Sequence, residues 1–271
     1  MRNSQAVTPK FFSALFVAAF FVFGAQSYGQ TPAPNSATAS AAKPVVVELF
    51  TAEGCSDCPP AEALALRMEK QPIPGVDLIV LEEHVDYWNQ YGWYDPFSSA
   101  ASTARQDEYV RKTKSPTPYT PEMVIDGQAQ FPGANVDKAQ AAIDAAAKEP
   151  DTSVTITEDN LNAKGDGEFK ITVGKLDGSA PRNEVEVWLA VTEDGLHSAV
   201  KAGENAGHTL YHAAVVRYLH KIGAVQDAGF SGDARVKINS HWDRKNINIV
   251  AFVQDKKSLK IIGAAQVKLT S

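Results

Sequence analysis

Short apolar runs and amphipathic segments alternate in the first half of the chain. Residues 45–50 (VVVELF) and 77–81 (DLIVL) are nearly continuous in apolar residues, which is typical of strands buried on both faces of a sheet. Between them, residues 61–68 are rich in helix formers and follow Pro59-Pro60, and proline favours the first turn of a helix. These segments predict a β–α–β unit whose two strands are parallel neighbours.

The middle of the chain predicts two further helices and a hairpin. The helices are expected at about residues 99–112 and 136–147, and Asn135 is placed to cap the second one. Two short runs flank Asp126-Gly127, a dipeptide that favours tight turns, so residues 123–131 predict a β-hairpin. We therefore expect residues 44–150 to form an α/β domain.

The pattern changes after Pro150, where short stretches of alternating apolar and polar residues recur between turn residues. Seven strands are predicted there, at residues 153–157, 168–173, 184–191, 213–218, 235–238, 246–253 and 260–269. Evenly spaced short strands without a helical period indicate an antiparallel sandwich. We therefore expect an antiparallel β-sandwich-like domain over residues 151–271.

The start of the chain predicts export. A basic N-terminus precedes an apolar run over residues 11–25, which suits the core of a signal peptide and is short for a membrane span. Ala25-Gln26-Ser27 places small residues where a signal peptidase reads, so residues 1–27 predict a cleaved signal peptide, with an uncleaved anchor as the alternative. Residues 28–43 predict a flexible linker. The mature protein is expected to be periplasmic or secreted.

Composition narrows the classes of partner. The chain has a formal net charge of −6, which argues against a nucleic acid or an anionic membrane surface as partner. No other apolar run is long enough to cross a bilayer, so no membrane association is expected after cleavage. No glycine-rich phosphate loop, Ser-His-Asp order or paired-carboxylate signature stands out, and no bound cofactor is expected. The oligomeric state stays open.

Cys55 and Cys58 form a CxxC pair between the first predicted strand and the first predicted helix. A structural disulfide gains most by closing a long loop, so this close spacing favours a bond that is made and broken repeatedly. The N-terminus of a helix also stabilises a thiolate. We expect Cys55 to lie at the exposed lip and act as the nucleophile, while Cys58, covered by the helix, resolves the mixed disulfide.

The residues around the pair predict a reducing couple. Asp57 places a negative charge between the thiols and no cationic residue lies between them, so a thiolate gains little stabilisation. Pro59 lacks an N–H, which weakens the bonding of a helix that would begin at Cys55. We expect a reduction potential nearer to about −270 mV than to about −120 mV, the two ends of the range for such proteins.

The succession of strand, CxxC, helix, parallel strand, helix and a proline before a hairpin resembles the thioredoxin superfamily. This resemblance implies a thioredoxin-like domain over residues 44–150. It also implies a cis peptide bond between Thr120 and Pro121, which would bind an extended substrate beside the cysteines. The segments VVVELFTAEGCSDCPPAE, HVDYW and YTPEMVIDG are further similar to a family of exported bacterial proteins with a thioredoxin-like domain and no established function. That similarity implies a redox site and names no substrate.

A polar and aromatic segment, residues 84–97, follows the second strand at the sheet edge that carries Cys55. His84 is a candidate for proton transfer to the resolving thiol. Trp88 and Trp93 are candidates for an apolar platform that binds the substrate. The alternative is a loop packed down by its aromatic rings, in which His84 is simply hydrogen bonded.

A metal is not expected from the sequence. His208 and His212 have a spacing that suits ligands, and with the CxxC pair they would complete a zinc set, but they lie in the other predicted domain. Exported thiols also tend to oxidise, which removes them as ligands. Copper held by the thiols and His84 is a related alternative. We expect His208, His212, Arg217 and His220 to lie on polar faces of the predicted sandwich instead.

The sequence thus predicts a thiol–disulfide oxidoreductase that acts through Cys55 and Cys58 on exported proteins or small thiols. The alternative is a redox-inert binding module in which the two cysteines form a structural disulfide.

Overall fold

The predicted helices, the hairpin and the seven later strands are all present in the computed structural model, which describes residues 36–37, 42–113, 117–162, 166–176 and 184–269. The helices are α1 (Pro59–Lys70), α2 (Ala100–Thr113) and α3 (Val136–Ala146). The strands are β1 (Ser36–Ala37), β2 (Lys43–Thr51), β3 (Val76–His84), β4 (Glu122–Ile125), β5 (Ala129–Pro132), β6 (Val154–Leu161), β7 (Asp166–Val173), β8 (Val185–Glu193), β9 (His197–Ala199), β10 (Thr209–Tyr211), β11 (Val215–Ala224), β12 (Phe230–Lys237), β13 (Ile247–Asp255) and β14 (Ile261–Lys268). Two short 3₁₀ helices lie at Tyr87–Tyr91 and Arg244–Asn246.

Local chemistry explains several element ends. The Asn135 side chain accepts a hydrogen bond from the Lys138 N–H at 3.0 Å and so caps α3, as predicted. In the β4–β5 turn, Asp126 and Gly127 have φ angles of 44° and 67°. A Cβ atom on Gly127 would lie 1.8 Å from the Leu259 carbonyl oxygen, so this turn requires glycine.

Eight strands from both halves of the chain form one mixed sheet, in the order β14-β13-β8-β11-β3-β2-β4-β5. β2 and β3 are parallel neighbours, as predicted. β11 extends the sheet from the other edge of β3, where the Glu82 N–H donates to the Ala214 carbonyl at 2.9 Å.

The expected fold class, an α/β thioredoxin-like domain followed by an antiparallel β-sandwich-like domain, is therefore wrong. The described chain is mostly β, with three α-helices, and strands from before and after residue 150 share one sheet. The physical reason lies at the edge of β3. An edge strand leaves N–H and C=O groups unpaired, and residues 214–215 of the later half bond to Glu82 at this edge.

The large sheet curls until β14 lies against β2. The Ile261 N–H donates to the Asp126 carbonyl at 2.9 Å, which joins the two ends of the curl. Its interior is a cluster of buried apolar side chains from β2, β3, β8, β11, β13 and β14, with Val46, Leu81 and Phe252 among them.

Buried charge lies at one end of this interior. Arg105 of α2 donates to Glu48 at 2.7 Å and to Gln254 at 2.6 Å, and its guanidinium lies 4.9 Å from the centre of the Tyr109 ring. Glu48, Arg105 and Gln254 are each at most 2 % exposed. These bonds connect α2 to strands on both sides of the curl.

Two layers cover the outside of the sheet. α1 and α3 pack on the outer side chains of β2, where Val45, Val47 and Leu49 lie in one cluster with Leu64 and Ile143. A second sheet, in the order β1-β6-β7-β12, covers the half that contains β8 and β13.

The predicted signal peptide, residues 1–27, lies outside the described residues, as does most of the predicted linker. Within that linker Ser36–Ala37 pairs with β6. None of the helices described here is long and apolar enough to cross a bilayer.

Candidate functional site

The cysteine loop, residues 55–58, joins the end of β2 to the start of α1. Cys55 and Cys58 are joined by a disulfide with their Cα atoms 5.4 Å apart, and Cys58 immediately precedes the first turn of α1. Cys55 is 1 % exposed and Cys58 is fully buried, while Ser56 and Asp57 between them face solvent. The expectation that Cys55 lies at an exposed lip is therefore wrong.

The β9–β10 loop, residues 200–208, covers the cysteine loop and explains this burial. The Asn205 side chain donates to the carbonyl oxygens of Glu53 and Cys55, both at 2.9 Å. Glu204 accepts from the Ser56 N–H at 3.1 Å and from its hydroxyl at 2.7 Å. These bonds lower the pKa of Glu204 and keep it anionic beside the cysteine loop. About 150 residues of chain separate the two partners, so no local pattern predicts the contact.

The Thr120–Pro121 peptide bond is cis, as the resemblance to the thioredoxin superfamily implies. It immediately precedes β4, which pairs with β2, the strand that leads to the cysteines. A Cβ atom on Gly133 would lie 3.1 Å from both Pro121 Cβ and Ala61 Cβ, which places Pro121 beside the first turns of α1. The structure thus brings Thr120-Pro121 to the helix that Cys58 precedes.

The three side chains predicted in the segment of residues 84–97 have different surroundings. Trp88 is half-buried and packs against the apolar cluster that contains both cysteines. The Trp93 indole N–H donates to Glu53 at 2.6 Å, so this ring is anchored at its polar end. His84 faces away from solvent and is bonded to Glu82 and Asp95, at 3.1 and 2.7 Å.

His84 belongs to a larger buried group, the histidine–carboxylate cluster. Its members are Glu53, Glu62, Glu82, His84, Asp95 and His212, each at most 2 % exposed. His212 Nδ1 lies 2.8 Å from Glu82 Oε1, and His212 Nε2 lies 3.2 Å from Glu53 Oε1. The expectation that His212 lies on a polar sandwich face is wrong, because the His212 side chain points at Glu82 of β3.

Other groups hold the cluster in place. The Thr51 hydroxyl donates to Glu62 at 2.8 Å, and the Ala213 N–H donates to Glu82 Oε2 at 2.9 Å. The Ser198 hydroxyl donates to Glu53 through a short hydrogen bond. The cluster is thus held by side chains or backbone groups from four parts of the chain, which are β2, α1, β3 and the segment around β10.

Burial and hydrogen bonding set the charges of the cluster. Burial alone would raise the pKa of Glu82, but hydrogen bonds from His212 and His84 outweigh it and hold that pKa at about 2. Burial alone would lower the pKa of His212, but its bonds to Glu53 and Glu82 raise it to about 9. Burial and the nearby Glu82 charge raise the pKa of Glu62 to about 7.

Sequence reasoning missed most of this cluster, although one signal was present. The buried strands β2 and β3 carry Glu48, Glu82 and Glu83 within otherwise apolar runs. A carboxylate in a buried strand requires a partner, so these residues indicate a polar interior. Asp95 and His212 carry no such signal, because each meets β3 only through tertiary packing.

Comparisons with solved structures find two proteins with a similar fold. A structural genomics target from Agrobacterium tumefaciens, solved by X-ray crystallography, is 27% identical with a TM-score of 0.63, over 86% of this chain and 97% of that one. HBP35 of Porphyromonas gingivalis shares the fold at 15% identity and a TM-score of 0.61, over 85% of this chain and 76% of that one.

A search among curated proteins finds no significant match. Residues 46–254 match the profile of a family described as "Protein of unknown function (DUF1223)". This match spans the cysteine loop, the histidine–carboxylate cluster and most of the large sheet. The chain therefore belongs to the DUF1223 family.

Proposed function

We propose that this protein is an exported thiol–disulfide oxidoreductase in which Cys55 and Cys58 exchange electrons with an exported protein or a small thiol. The observation that carries the proposal is a disulfide between these cysteines at the start of α1, beside the cis peptide bond before Pro121. This local arrangement resembles the site of the thioredoxin superfamily, although the surrounding fold differs. The apolar run over residues 11–25 supports export.

The exchange requires an external dithiol or disulfide. To reduce the protein, a donor thiolate attacks Cys55 Sγ, the bond between the two cysteines breaks, and Cys58 leaves as a thiolate that takes up a proton. The second donor thiol then breaks the mixed disulfide and frees Cys55. Two electrons and two protons have passed from the donor dithiol, which leaves as a disulfide. The reverse sequence reduces a substrate disulfide.

Access to Cys55 requires the β9–β10 loop to move, because Asn205 and Glu204 bond across the cysteine loop. Cys58 is fully buried at the start of α1, where its carbonyl oxygen accepts hydrogen bonds from the N–H groups of Ala61 and Glu62. Displacement of the loop therefore supports the same assignment of roles, with Cys55 as nucleophile and Cys58 as resolving thiol.

A structural disulfide is the second candidate function of the pair. It is favoured by the burial of both sulfur-bearing side chains, which limits attack by an outside thiolate. In that case the protein is a redox-inert binding module. The exposed Tyr91 and the half-buried Trp88, whose rings lie 5.2 Å apart, then contribute to a partner surface.

Trapping with Cys58→Ser separates the two candidates. Without the resolving thiol, mixed disulfides on Cys55 should persist after incubation with a periplasmic extract or with cystine, and mass spectrometry identifies them. Cys55→Ser is the matched control, because it removes the same bond and leaves the less accessible thiol. Adducts on Cys58→Ser, with none on Cys55→Ser, support thiol–disulfide exchange. If neither variant forms adducts and the wild-type disulfide resists excess dithiothreitol in the folded state, the bond is structural.

The reduction potential gives a second measurement. Asp57 is exposed between the two cysteines, and the carboxylate of Glu204 accepts from Ser56, so two acidic side chains lie next to the pair. These charges disfavour a thiolate, and we expect a potential nearer to about −270 mV than to about −120 mV. Equilibration with glutathione and dithiothreitol buffers measures it, and a value at the oxidising end would contradict this part of the proposal.

A further inference from the structure

We propose that Glu82, His84 and His212 bind one divalent transition-metal ion inside the protein, of the class to which Zn²⁺ belongs. Glu82 Oε1 lies 3.1 Å from His84 Nε2 and 2.8 Å from His212 Nδ1, and one ligand atom of each residue lies within 4.8 Å of the others. Ligands of one tetrahedral zinc ion lie about 2.0–2.2 Å from it, which separates neighbouring ligand atoms by about 3.3–3.6 Å, within the 4.8 Å that includes all three atoms here. Two imidazoles and one carboxylate are a ligand set that zinc and iron accept.

The second nitrogen of each histidine supports this assignment. His84 Nδ1 lies 2.7 Å from Asp95 Oδ2, and His212 Nε2 lies 3.2 Å from Glu53 Oε1. Histidines that bind a metal commonly donate their other N–H to a carboxylate, which fixes the ring and strengthens the ligand. Each ring therefore directs one nitrogen to Glu82 Oε1, which the two rings share, and its other nitrogen to a carboxylate of its own.

The surroundings hold the ligands in place and exclude water. The Ala213 N–H fixes the orientation of Glu82 through its other oxygen, at 2.9 Å. The Phe97 ring packs edge-on against both imidazoles, with centre distances of 5.5 Å to His84 and 5.3 Å to His212. Glu62 Oε2 lies 3.9 Å from His212 Nδ1, within reach of a fourth ligand position.

The balance of charge leaves a place for a cation. The histidine–carboxylate cluster contains four carboxylic side chains, and no lysine or arginine of the described chain forms an ion pair with any of them. A bound divalent ion would supply positive charge to this group of carboxylates.

Full burial makes this a site that is loaded during folding rather than an open catalytic centre. The three ligands are each at most 1 % exposed, so the ion exchanges only when the surrounding segments open. This site is separate from the proposed thiol chemistry, because Cys55 and Cys58 are not ligands.

The test uses the oxidised mature protein without a histidine tag. It is unfolded in guanidinium with a chelator, refolded with or without equimolar ZnCl₂, and desalted. We expect one zinc per chain by plasma mass spectrometry and a higher Tm of the zinc-loaded protein. X-ray absorption at the zinc edge should show nitrogen and oxygen neighbours at about 2.0–2.1 Å and no sulfur. Sulfur neighbours, or folded protein with less than a tenth of an equivalent of zinc, would overturn the proposal.

Glu82→Gln and His84→Gln test the assignment of ligands. Each should lower bound zinc at least tenfold, while His220→Gln, at an exposed histidine, should retain one equivalent. If the ligand variants fail to fold, the X-ray absorption spectrum of the zinc-loaded wild type decides the question. Imidazole scattering beyond the first shell supports histidine ligation, and a spectrum with oxygen neighbours alone would overturn the proposal.

Discussion

At the scale of single residues, Asp126 shows how burial changes the balance of charge. Its carboxylate is largely buried, with one oxygen 2.8 Å from the Val46 N–H that donates to it. Burial raises its pKa to about 6, and repulsion from Glu48 adds to this, whereas Lys43 and Lys260 act in the opposite direction. The protonated form is therefore favoured by folding.

Asp126→Asn should stabilise the protein at high pH. A folded pKa of about 6, against an ordinary pKa of 3.8 for an aspartate side chain, means that the wild type loses stability as the pH rises from about 4 to about 6. Asparagine keeps an oxygen for Val46 and avoids that loss, so we expect a gain of about 1–3 kcal/mol at pH 8 and almost none at pH 4. Urea unfolding at both pH values measures the difference.

Asp255→Asn is the matched control for this prediction. The Asp255 carboxylate accepts from the Ser258 N–H and hydroxyl, both at 2.6 Å. Burial alone would raise its pKa, but these bonds outweigh it, and the net shift is downward. The wild type therefore gains stability from Asp255 above its unfolded pKa, and the variant should be less stable at pH 8. A change of the same sign in both variants would contradict the account of Asp126.

At the scale of elements, the β9–β10 loop decides how well the disulfide is protected. Asn205 is 7 % exposed and donates both amide hydrogens to backbone carbonyls of the cysteine loop. Neither β9 nor β10 was predicted, because each has three residues and their pairing leaves no alternating pattern.

Asn205→Ala should speed the reduction of the disulfide by dithiothreitol about tenfold. Loss of two hydrogen bonds that hold the loop costs about 1–2 kcal/mol, and about 1.4 kcal/mol changes the population of an open state tenfold. The rate is measured under native conditions by alkylation and mass spectrometry. Asn248→Ala removes two bonds to Asp194 at a distant strand and should leave the rate unchanged. Equal rates for both variants would show that the loop does not control access.

Most elements were predictable, because their signals are local. The helices, the β4–β5 hairpin and the longer strands follow from hydrophobic period, proline position, the Asn135 cap and the Asp126-Gly127 turn. The cysteine pair was also found correctly at a junction of strand and helix. The burial of the pair was not predicted, because the residues that cover it lie about 150 positions later in the chain.

At the scale of the whole molecule, the large sheet couples the two halves of the chain. The alternating pattern after residue 150 resembles that of a separate sandwich because half-buried strands look alike whichever sheet they join. Local patterns do not specify that β11 pairs with β3, or that Gln254 meets Arg105. The fold class was wrong for this reason, although the helices and the longer strands were predicted correctly.

A fragment of residues 44–150 should not fold alone. It would leave an edge of β3 unpaired and expose Val46, Ile79 and Leu81, which pack against side chains of the later strands. It would also leave Arg105 without Gln254. We expect weak near-UV circular dichroism and no cooperative unfolding transition, in contrast to residues 28–271. A sharp transition of the fragment would show that the domain predicted from the sequence is autonomous.

The long separation between the cysteines and their cover has a consequence for biogenesis. A chain that emerges with its N-terminus first presents residues 55–58 well before residues 204–205. During that interval the thiols are open to any oxidant of the compartment, and afterwards the folded loop shields the bond. The pair is therefore most accessible to oxidants while the chain is being made, and in the finished fold each later exchange has to wait for the β9–β10 loop to open.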